Sequence, residues 1–344
     1  MQKALDAGAE AAGGTEAYDR LTRAYSEQHD RFLRDGGLEF RSRCAGILRR
    51  LGFDEELSHM PVRLLSGGQK TRRLAGLDSR SVFRRGCRVT SVTVQSEEAA
   101  RALGKPCGRY VTLDLSSLLN GAEDTVGRAA RAVGAELKAL LGEKSRSVLV
   151  AGLGNAQMTP DAIGPKSTEH ILVTRHLGDA PVFSALAAVS VLTPGVLGRT
   201  GIESLDLVRG AVRAVQPDAL IVIDALASRS LARLCTTVQL SDTGIVPGSG
   251  VGNHRCALDE KTVGVPVFAI GVPTVVDAAT LTLDVLEDAG RPGIDPASLR
   301  GHETVMVTTR DIDAQIDLLA RVVGYGIDLA LQPLTFAEVS ALLG

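Results

Sequence analysis

Two aspartates stand where buried apolar runs of the sequence end. Asp224 closes the run ALIVID, and Asp161 follows the turn that leaves the run VLVAGLG. Ligands of open α/β sheets bind outside the carboxyl ends of the strands, so we expect both carboxylates at one crevice. Two carboxylates at short range share one proton, which suits one to activate water and the other to protonate a leaving amine. The pair therefore predicts peptide hydrolysis without a metal, with Asp161 and Asp224 as the catalytic residues.

Both positions also suit structural roles. Thr159 and Pro160 are typical of a helix start, where Thr159 would be the N-cap and Asp161 would stabilise the helix dipole. Asp224 would in the same way cap the helix that follows its strand. The spacing alone leaves the structural and the catalytic interpretation open.

A glycine-rich loop, SDTGIVPGSGVGN, covers residues 241–253. We expect it to form a wall of the active site, because its backbone N–H groups are free to bind a peptide or an oxyanion. Asp242, Gly248 and Gly250, together with Asn155, are the residues expected to line the substrate cleft. A mobile surface loop is the alternative, and the single Asp-Thr-Gly at 242–244 is a chance match to the paired tripeptides of β-lobed aspartic proteases.

Cofactor and metal motifs are missing from the sequence. GLGNAQ at 152–157 lacks the third glycine of the dinucleotide fingerprint, and neither a P-loop nor an H-E-x-x-H motif occurs. His170 and His176 are six residues apart and make a poor metal pair. The chain has 5 cysteines, an odd number without C-x-x-C spacing, which is typical of a reducing compartment. We expect no cofactor and no metal.

The elements that would position these groups follow an α/β pattern. Buried or alternating apolar runs predict strands over 88–94, 147–155, 219–226 and 266–273. Helical spacing predicts helices over 124–141, 161–177, 202–215 and 311–331. Alternating strands and helices imply a mostly parallel sheet between two helical layers. Upstream of about residue 76 the chain is charged and helical in pattern.

Composition excludes several classes of partner. The chain has 344 residues, which predicts about two domains, and a net charge of -2. Near-neutrality and 3% aromatic residues without Trp argue against a nucleic-acid or anionic-membrane surface. Neither a secretory signal nor a membrane-spanning apolar run is visible, so a cytoplasmic location is expected.

From about residue 86 onward the chain resembles the germination protease family of endospore formers. The resemblance rests on long segments such as AGLGNAQMTPDAIGP, TPGVLGRTGIES, PDALIVIDALASRS and QLSDTGIVPGSGVGNHR. It implies a fold similar to hydrogenase maturation proteases and a metal-independent, aspartic-type endopeptidase that begins the degradation of small acid-soluble spore proteins. The two essential acids of the family match Asp161 and Asp224. The resemblance further implies a homotetramer, a zymogen and a location in the forespore or spore core.

A second resemblance covers residues 15–75. YDRLTRAYSEQHDRF, ILRRLGFDEEL and PVRLLSGGQKTRRLA are similar to soluble ABC-F ATP-binding cassette proteins, whose signature would be Ser66, Gly67, Gly68 and Gln69. Walker A and Walker B are absent, so we expect this segment to hold no nucleotide. The sequence thus divides into a helical segment over 1–80, from a gene fusion or an assembly artefact, and a peptidase domain over 86–344. A metal-reading hydrogenase maturation-type protease and an ATP-binding protein remain the alternative functions.

Overall fold

The computed structural model describes residues 76–120, 124–142, 145–178, 180–228, 230–248, 255–288 and 305–343. The chain divides into two compact units, 1–74 and 75–344, and all described residues belong to the second. Residues 1–75 of the helical segment predicted over 1–80, including Ser66, Gly67, Gly68 and Gln69, lie outside the described residues. The end of that segment was predicted wrongly, because residues 77–80 belong to a strand, Leu77–Arg84, that pairs with the next strand. Among the described helices, none has the length and apolar character needed to cross a membrane.

Nine strands and ten helices account for most of the described residues. The strands are β1 (Leu77–Arg84), β2 (Cys87–Val94), β3 (Gly108–Asp114), β4 (Ser147–Leu153), β5 (Ala188–Gly195), β6 (Ala219–Ser228), β7 (Thr237–Ser241), β8 (Val267–Asp277) and β9 (Met306–Val307). The helices are α1 (Glu97–Leu103), α2 (Ser116–Leu119), α3 (Thr125–Leu141), α4 (Ile163–Thr168), α5 (Leu197–Thr200), α6 (Ser204–Val215), α7 (Glu260–Val263), α8 (Ala278–Asp288), α9 (Ile312–Leu331) and α10 (Phe336–Leu343).

All strands belong to one mixed sheet of order β1-β2-β3-β7-β8-β6-β4-β5, with β9 paired to β8. The strands β8, β6, β4 and β5 are parallel to one another. On the other side of β8, the strands β7, β3, β2 and β1 are added in antiparallel fashion. The predicted α/β fold with parallel central strands and flanking helices is confirmed. Of its antiparallel half, the sequence indicated only β2.

The central strands are buried on both faces, which explains their unbroken apolar runs. Val148 and Val150 of β4 face the main core, which also contains side chains of α3, α4 and α9. Leu149 and Ala151 face a second core with side chains of α6. The sheet is therefore the middle of three layers.

Three boundaries differ from those expected. The helix predicted over 161–177 is wrong: α4 ends at Thr168, because the side chain of Asp328 binds the backbone N–H of Leu172 and Thr174 pairs with Val189 of β5. Strand β6 continues past Asp224 to Ser228, since β8 remains paired with it. The sheet also begins upstream of residue 86, because all of β1 pairs with β2.

Candidate functional site

The turn after β4 brings Asp161 over the end of that strand. Gly154 has φ +112°, and a Cβ atom there would lie 2.0 Å from the carbonyl oxygen of Asp161. Only glycine fits a position with both this conformation and this close approach. The turn is closed by the backbone N–H of Asp161, which donates to the carbonyl oxygen of Met158 over 2.8 Å.

The carboxylate of Asp161 is held by a hydrogen bond from a backbone N–H group. Its Oδ2 accepts the N–H of Asn155 over 2.7 Å, and the Asn155 side chain accepts the N–H of Gln157 over 3.1 Å. Burial raises the pKa of Asp161 above its usual 3.8, while the Asn155 N–H and the charge of Arg255 act in the opposite direction. Asn155 fixes the orientation of Asp161 through its main chain, and its expected place in the substrate cleft stays a prediction.

A second close contact between backbone segments packs the start of α4 against the sheet. A Cβ atom at Gly164 would lie 2.1 Å from the carbonyl oxygen of Leu153 and 2.8 Å from that of Ile223. Ile223 directly precedes Asp224, so this contact fixes the segment that follows Asp161 beside the strand that bears Asp224. The two aspartates are thereby tied to one rigid corner of the sheet.

Asp224 lies within β6, where it pairs with Gly271 of β8, and is 6% exposed. Burial is the main cause that raises the pKa of Asp224 to about 7, and the negative charge of Asp161 adds to it. The Ala225 N–H and the charge of Arg255 partly oppose this rise. The structure thus brings the two predicted acids together as an interacting pair, in which Asp224 retains its proton more readily.

Arg255 was not singled out in the sequence, although its charge lowers the pKa of both aspartates. It follows the glycine-rich loop and precedes Leu258, which pairs with Ile245 near the start of that loop. A basic residue just after a loop that was expected near the two acids is the sequence signal that could have pointed to it. Among the described residues, no group of three or more His, Cys, Asp or Glu side chains could hold a metal ion.

Asp242 does not join the Asp161/Asp224 pair. Gln239 is the β7 partner of Gly271, whereas Ser241 pairs with Ala269. Asp242 therefore lies toward the amino end of the parallel strands, two strand spacings and about 10 Å along the strands from Asp224. There its Oδ1 accepts the N–H of Arg109 over 2.7 Å.

Through this contact the carboxylate of Asp242 fastens β7 to β3. Its expected place in the substrate cleft stays a prediction. Of the two loop glycines expected beside it, Gly248 is partly buried at the end of the described part of the loop, and Gly250 lies outside the described residues.

Comparison with known proteins decides the family. The family model of germination proteases matches residues 62–289, including both aspartates. The chain belongs to the germination protease family. A germination protease of Caldanaerobacter subterraneus subsp. tengcongensis is 40% identical over 306 residues, which cover 80% of this chain and 94% of the relative. A germination protease of Clostridium perfringens is 40% identical over 275 residues, covering 72% of this chain and 85% of the relative.

As a member of the germination protease family the chain is a peptidase, and its substrate is a protein. The family match begins upstream of residue 86, as the sheet does, and includes Ser66, Gly67, Gly68 and Gln69 of the ABC-like run. A NiFe hydrogenase maturation protease from Thermococcus kodakarensis is also similar, at 15% identity and a TM-score of 0.31, over 56% of this chain and 99% of that one.

Proposed function

We propose that this germination protease homologue is an endopeptidase that cleaves small acid-soluble spore proteins during germination, with Asp161 and Asp224 as its catalytic pair and without a metal. The observation that supports this most is the raised pKa of Asp224 beside Asp161. A buried carboxyl and a partly buried one that interact in this way hold one proton between them near neutral pH. That state contains the base and the acid that peptide hydrolysis requires.

The different surroundings of the two acids suggest their roles. Asp161, held by the Asn155 N–H, is the ionised partner and takes a proton from water as the water oxygen bonds to the peptide carbonyl carbon. Asp224, buried and protonated, donates its proton to the peptide nitrogen as the C–N bond breaks. Transfer of the captured proton from Asp161 to Asp224 then restores the starting state.

The test is cleavage of a purified small acid-soluble spore protein, followed by mass spectrometry. Asp161→Asn and Asp224→Asn are each expected to lower kcat by about 10³-fold or more, since each removes one half of the acid–base pair. Asp206→Asn, an exposed aspartate of α6, is the matched control and should retain wild-type activity. Full activity in either purified and folded pair variant would refute the assignment.

The effect of a metal chelator on the cleavage rate distinguishes the alternative functions. Under the proposed mechanism, EDTA leaves the cleavage rate unchanged. Loss of activity with EDTA and its recovery with a divalent metal would favour a hydrogenase maturation-type, metal-reading protease instead. Binding of ATP by the full chain would favour the ABC-type alternative.

Assembly and location are further parts of the proposal. We infer from the family resemblance that the chain acts as a homotetramer in the spore core. Analytical ultracentrifugation of the purified chain tests the first point, since a tetramer should persist at micromolar concentration. Fluorescence microscopy of a tagged chain in sporulating cells tests the second, and signal outside the forespore would contradict it.

A further inference from the structure

One face of the antiparallel half of the sheet is lined by polar, partly exposed side chains. Val89, Val111, Leu113, Val238 and Leu240 of β2, β3 and β7 point into the main core. Side chains alternate along a strand, so the residues between these positions point to the opposite face. Of those residues, Thr90, Thr112 and Gln239 are partly exposed.

The strand register aligns these polar residues with Asp224. Asp224 pairs with Gly271, Gly271 with Gln239, and Gln239 with Thr112. Thr112 pairs with Thr90, and Thr90 with Ser81 of β1. Residues opposite each other in a ladder point to the same face, so one straight line leads from Asp224 across the sheet. We call Gln239, Thr112, Thr90 and Ser81 the open-face row.

The length of this line suits an extended polypeptide. Neighbouring strands lie about 4.8 Å apart, so the line spans about 24 Å from β6 to β1, the reach of roughly seven extended residues. The row also changes in chemistry along its length. Near Asp224, the lack of a side chain at Gly271 lets Leu226 lie over β8, because a Cβ atom there would be 2.3 Å from Leu226 Cδ1.

Farther from Asp224, the open-face row consists of residues with hydroxyl groups. The side-chain oxygens of Ser81 and Thr90 are hydrogen-bonded to each other over 3.1 Å. Hydroxyl and amide side chains both donate and accept hydrogen bonds, so they can bind the N–H and C=O groups of a peptide whatever its sequence. An apolar contact beside the acids and a polar track beyond it are features expected of a surface that holds a polypeptide mainly by its backbone.

We propose that the extended protein substrate lies along the open-face row and reaches the Asp161/Asp224 pair over Leu226. This rests on the proposed function. An endopeptidase has to hold several residues of an extended chain beside its catalytic groups, and remote contacts of this kind supply binding energy to the reaction. The row begins at Asp224, so a chain bound on it is already aligned with the reacting carboxyl groups.

Two threonines of β2 provide a matched kinetic test. Thr90 belongs to the row, whereas Thr93 lies on the opposite face beside Glu136 and Leu140, and both are partly exposed. Thr90→Glu is expected to raise KM for a spore protein by about fivefold or more with kcat unchanged, because it blocks binding remote from the chemistry. Thr93→Glu should change neither constant, and a peptide of four residues around the cleaved bond should be cleaved equally by both variants and the wild type.

Equal KM values for the two variants on the protein substrate would overturn the proposal, provided that thermal unfolding shows both to be folded. The wild type and Asp161→Asn, run in the same assay, report on the proposed function independently. Absence of cleavage by the wild type refutes that function, whereas cleavage by the wild type with no difference between Thr90→Glu and Thr93→Glu refutes only the row.

Photo-crosslinking directly tests contact between the protein substrate and the open-face row. Benzoylphenylalanine placed at position 112 in the Asp161→Asn chain is expected to crosslink to added spore protein, and the same probe at position 93 is not. An adduct between two copies of the chain from position 112, in place of an adduct with substrate, would identify this face as a subunit contact and overturn the proposal.

Discussion

The proton shared by Asp161 and Asp224 predicts a bell-shaped pH dependence. Activity requires one proton on the pair, and Asp224 loses it as the pH rises through about 7. On the acidic side Asp161 becomes protonated, at a pH above its usual pKa of 3.8 because of burial. We therefore expect kcat/KM to fall on both sides of a maximum in the mildly acidic range, with a tenfold loss per pH unit on each limb.

Measurement of kcat/KM on a peptide without ionisable groups isolates the titration of the free enzyme. Replacement of Arg255 by Gln should move both limbs to higher pH, because its charge lowers the pKa of both acids. Arg255→Lys, which keeps the charge, is the control. A profile that is flat between pH 5 and pH 9 would contradict the shared-proton mechanism.

Asp328 is a second buried acid, and its protonation affects the stability of the fold. It lies in α9 at 0% exposure, and both of its oxygens accept the N–H of Leu172 over 3.1 Å. Burial raises the pKa of Asp328 from its usual 3.8 to about 7. Because the pKa in the folded state is the higher one, the protonated form favours folding, and its contribution is complete below pH 4 and lost as the pH rises through 7.

Asp328→Asn keeps an oxygen acceptor for Leu172 and cannot ionise. We expect the free energy of unfolding at pH 8 to rise by about 4 kcal/mol and to change little at pH 4. Urea unfolding of both proteins at the two pH values measures this difference. Equal pH dependence of wild type and variant would show that Asp328 does not titrate in this range.

The conformation of the turn after β4 depends on glycine at position 154. In Gly154→Ala, the new Cβ would meet the carbonyl oxygen of Asp161 at 2.0 Å, so the turn and its carboxylate have to shift. A displacement of about 1 Å at a catalytic group costs on the order of 10²-fold in rate, and we expect kcat to fall by this factor.

Gly264→Ala is the matched control for that turn. Gly264 also has positive φ, at +85°, but no atom lies within 4 Å of the added Cβ. This variant should lose about 1 kcal/mol of stability from backbone strain and retain its kcat. If the two variants lost kcat equally, the close approach to Asp161 would not be what positions the pair.

A substitution at Asp242 tests whether this residue lines the substrate cleft. Besides accepting the Arg109 N–H, its carboxylate lies 3.4 Å from Arg109 Nε, at the edge where β7 meets β3. Asp242→Ala leaves that N–H without its partner and should lower the free energy of unfolding by about 1 kcal/mol. Cleavage kinetics should stay within twofold of the wild type. A large loss of kcat/KM without loss of stability would show that Asp242 lines the substrate cleft.

The buried parallel strands and three of the long helices were predictable, because period and burial are local properties of the sequence. The strands 147–155 and 219–226 and the helices 124–141, 202–215 and 311–331 correspond closely to β4, β6, α3, α6 and α9. The end of α4 was not predictable, since it depends on Asp328, which is far away in the sequence.

The proximity of the two acids was predictable from the apolar runs that precede them, although Asp161 lies in the turn after β4 and Asp224 lies within β6. Their catalytic role stays a prediction. The carboxyl end of a parallel strand can be recognised from its apolar run, and its function as a ligand edge is general. The positions of Asp242 and Arg255 depend instead on contacts between residues far apart in the sequence. One of these contacts is the Ile245–Leu258 pairing, which no local pattern of the sequence specifies.

The folded domain includes β1, which lies upstream of residue 86. Every residue of β1 is in register with β2, Leu77 is 9% exposed, and Val82 packs against the main core. A chain of residues 87–344 loses this strand and leaves β2 as an unpaired edge, which favours association with other chains. We expect its Tm to lie about 10 °C below that of residues 76–344, and we expect it to aggregate on size-exclusion chromatography.

Residues 76–344 contain every strand of the sheet that the structure describes, and we expect this chain to unfold with the Tm of the full-length protein. Thermal unfolding of the three chains measures both differences. Equal Tm values for 76–344 and 87–344 would place the start of the domain near residue 86, as the change in sequence character suggested. A lower Tm for 87–344 alone would show that the family's sheet continues into the segment first assigned to the ABC-like region, because β1 lies upstream of that boundary.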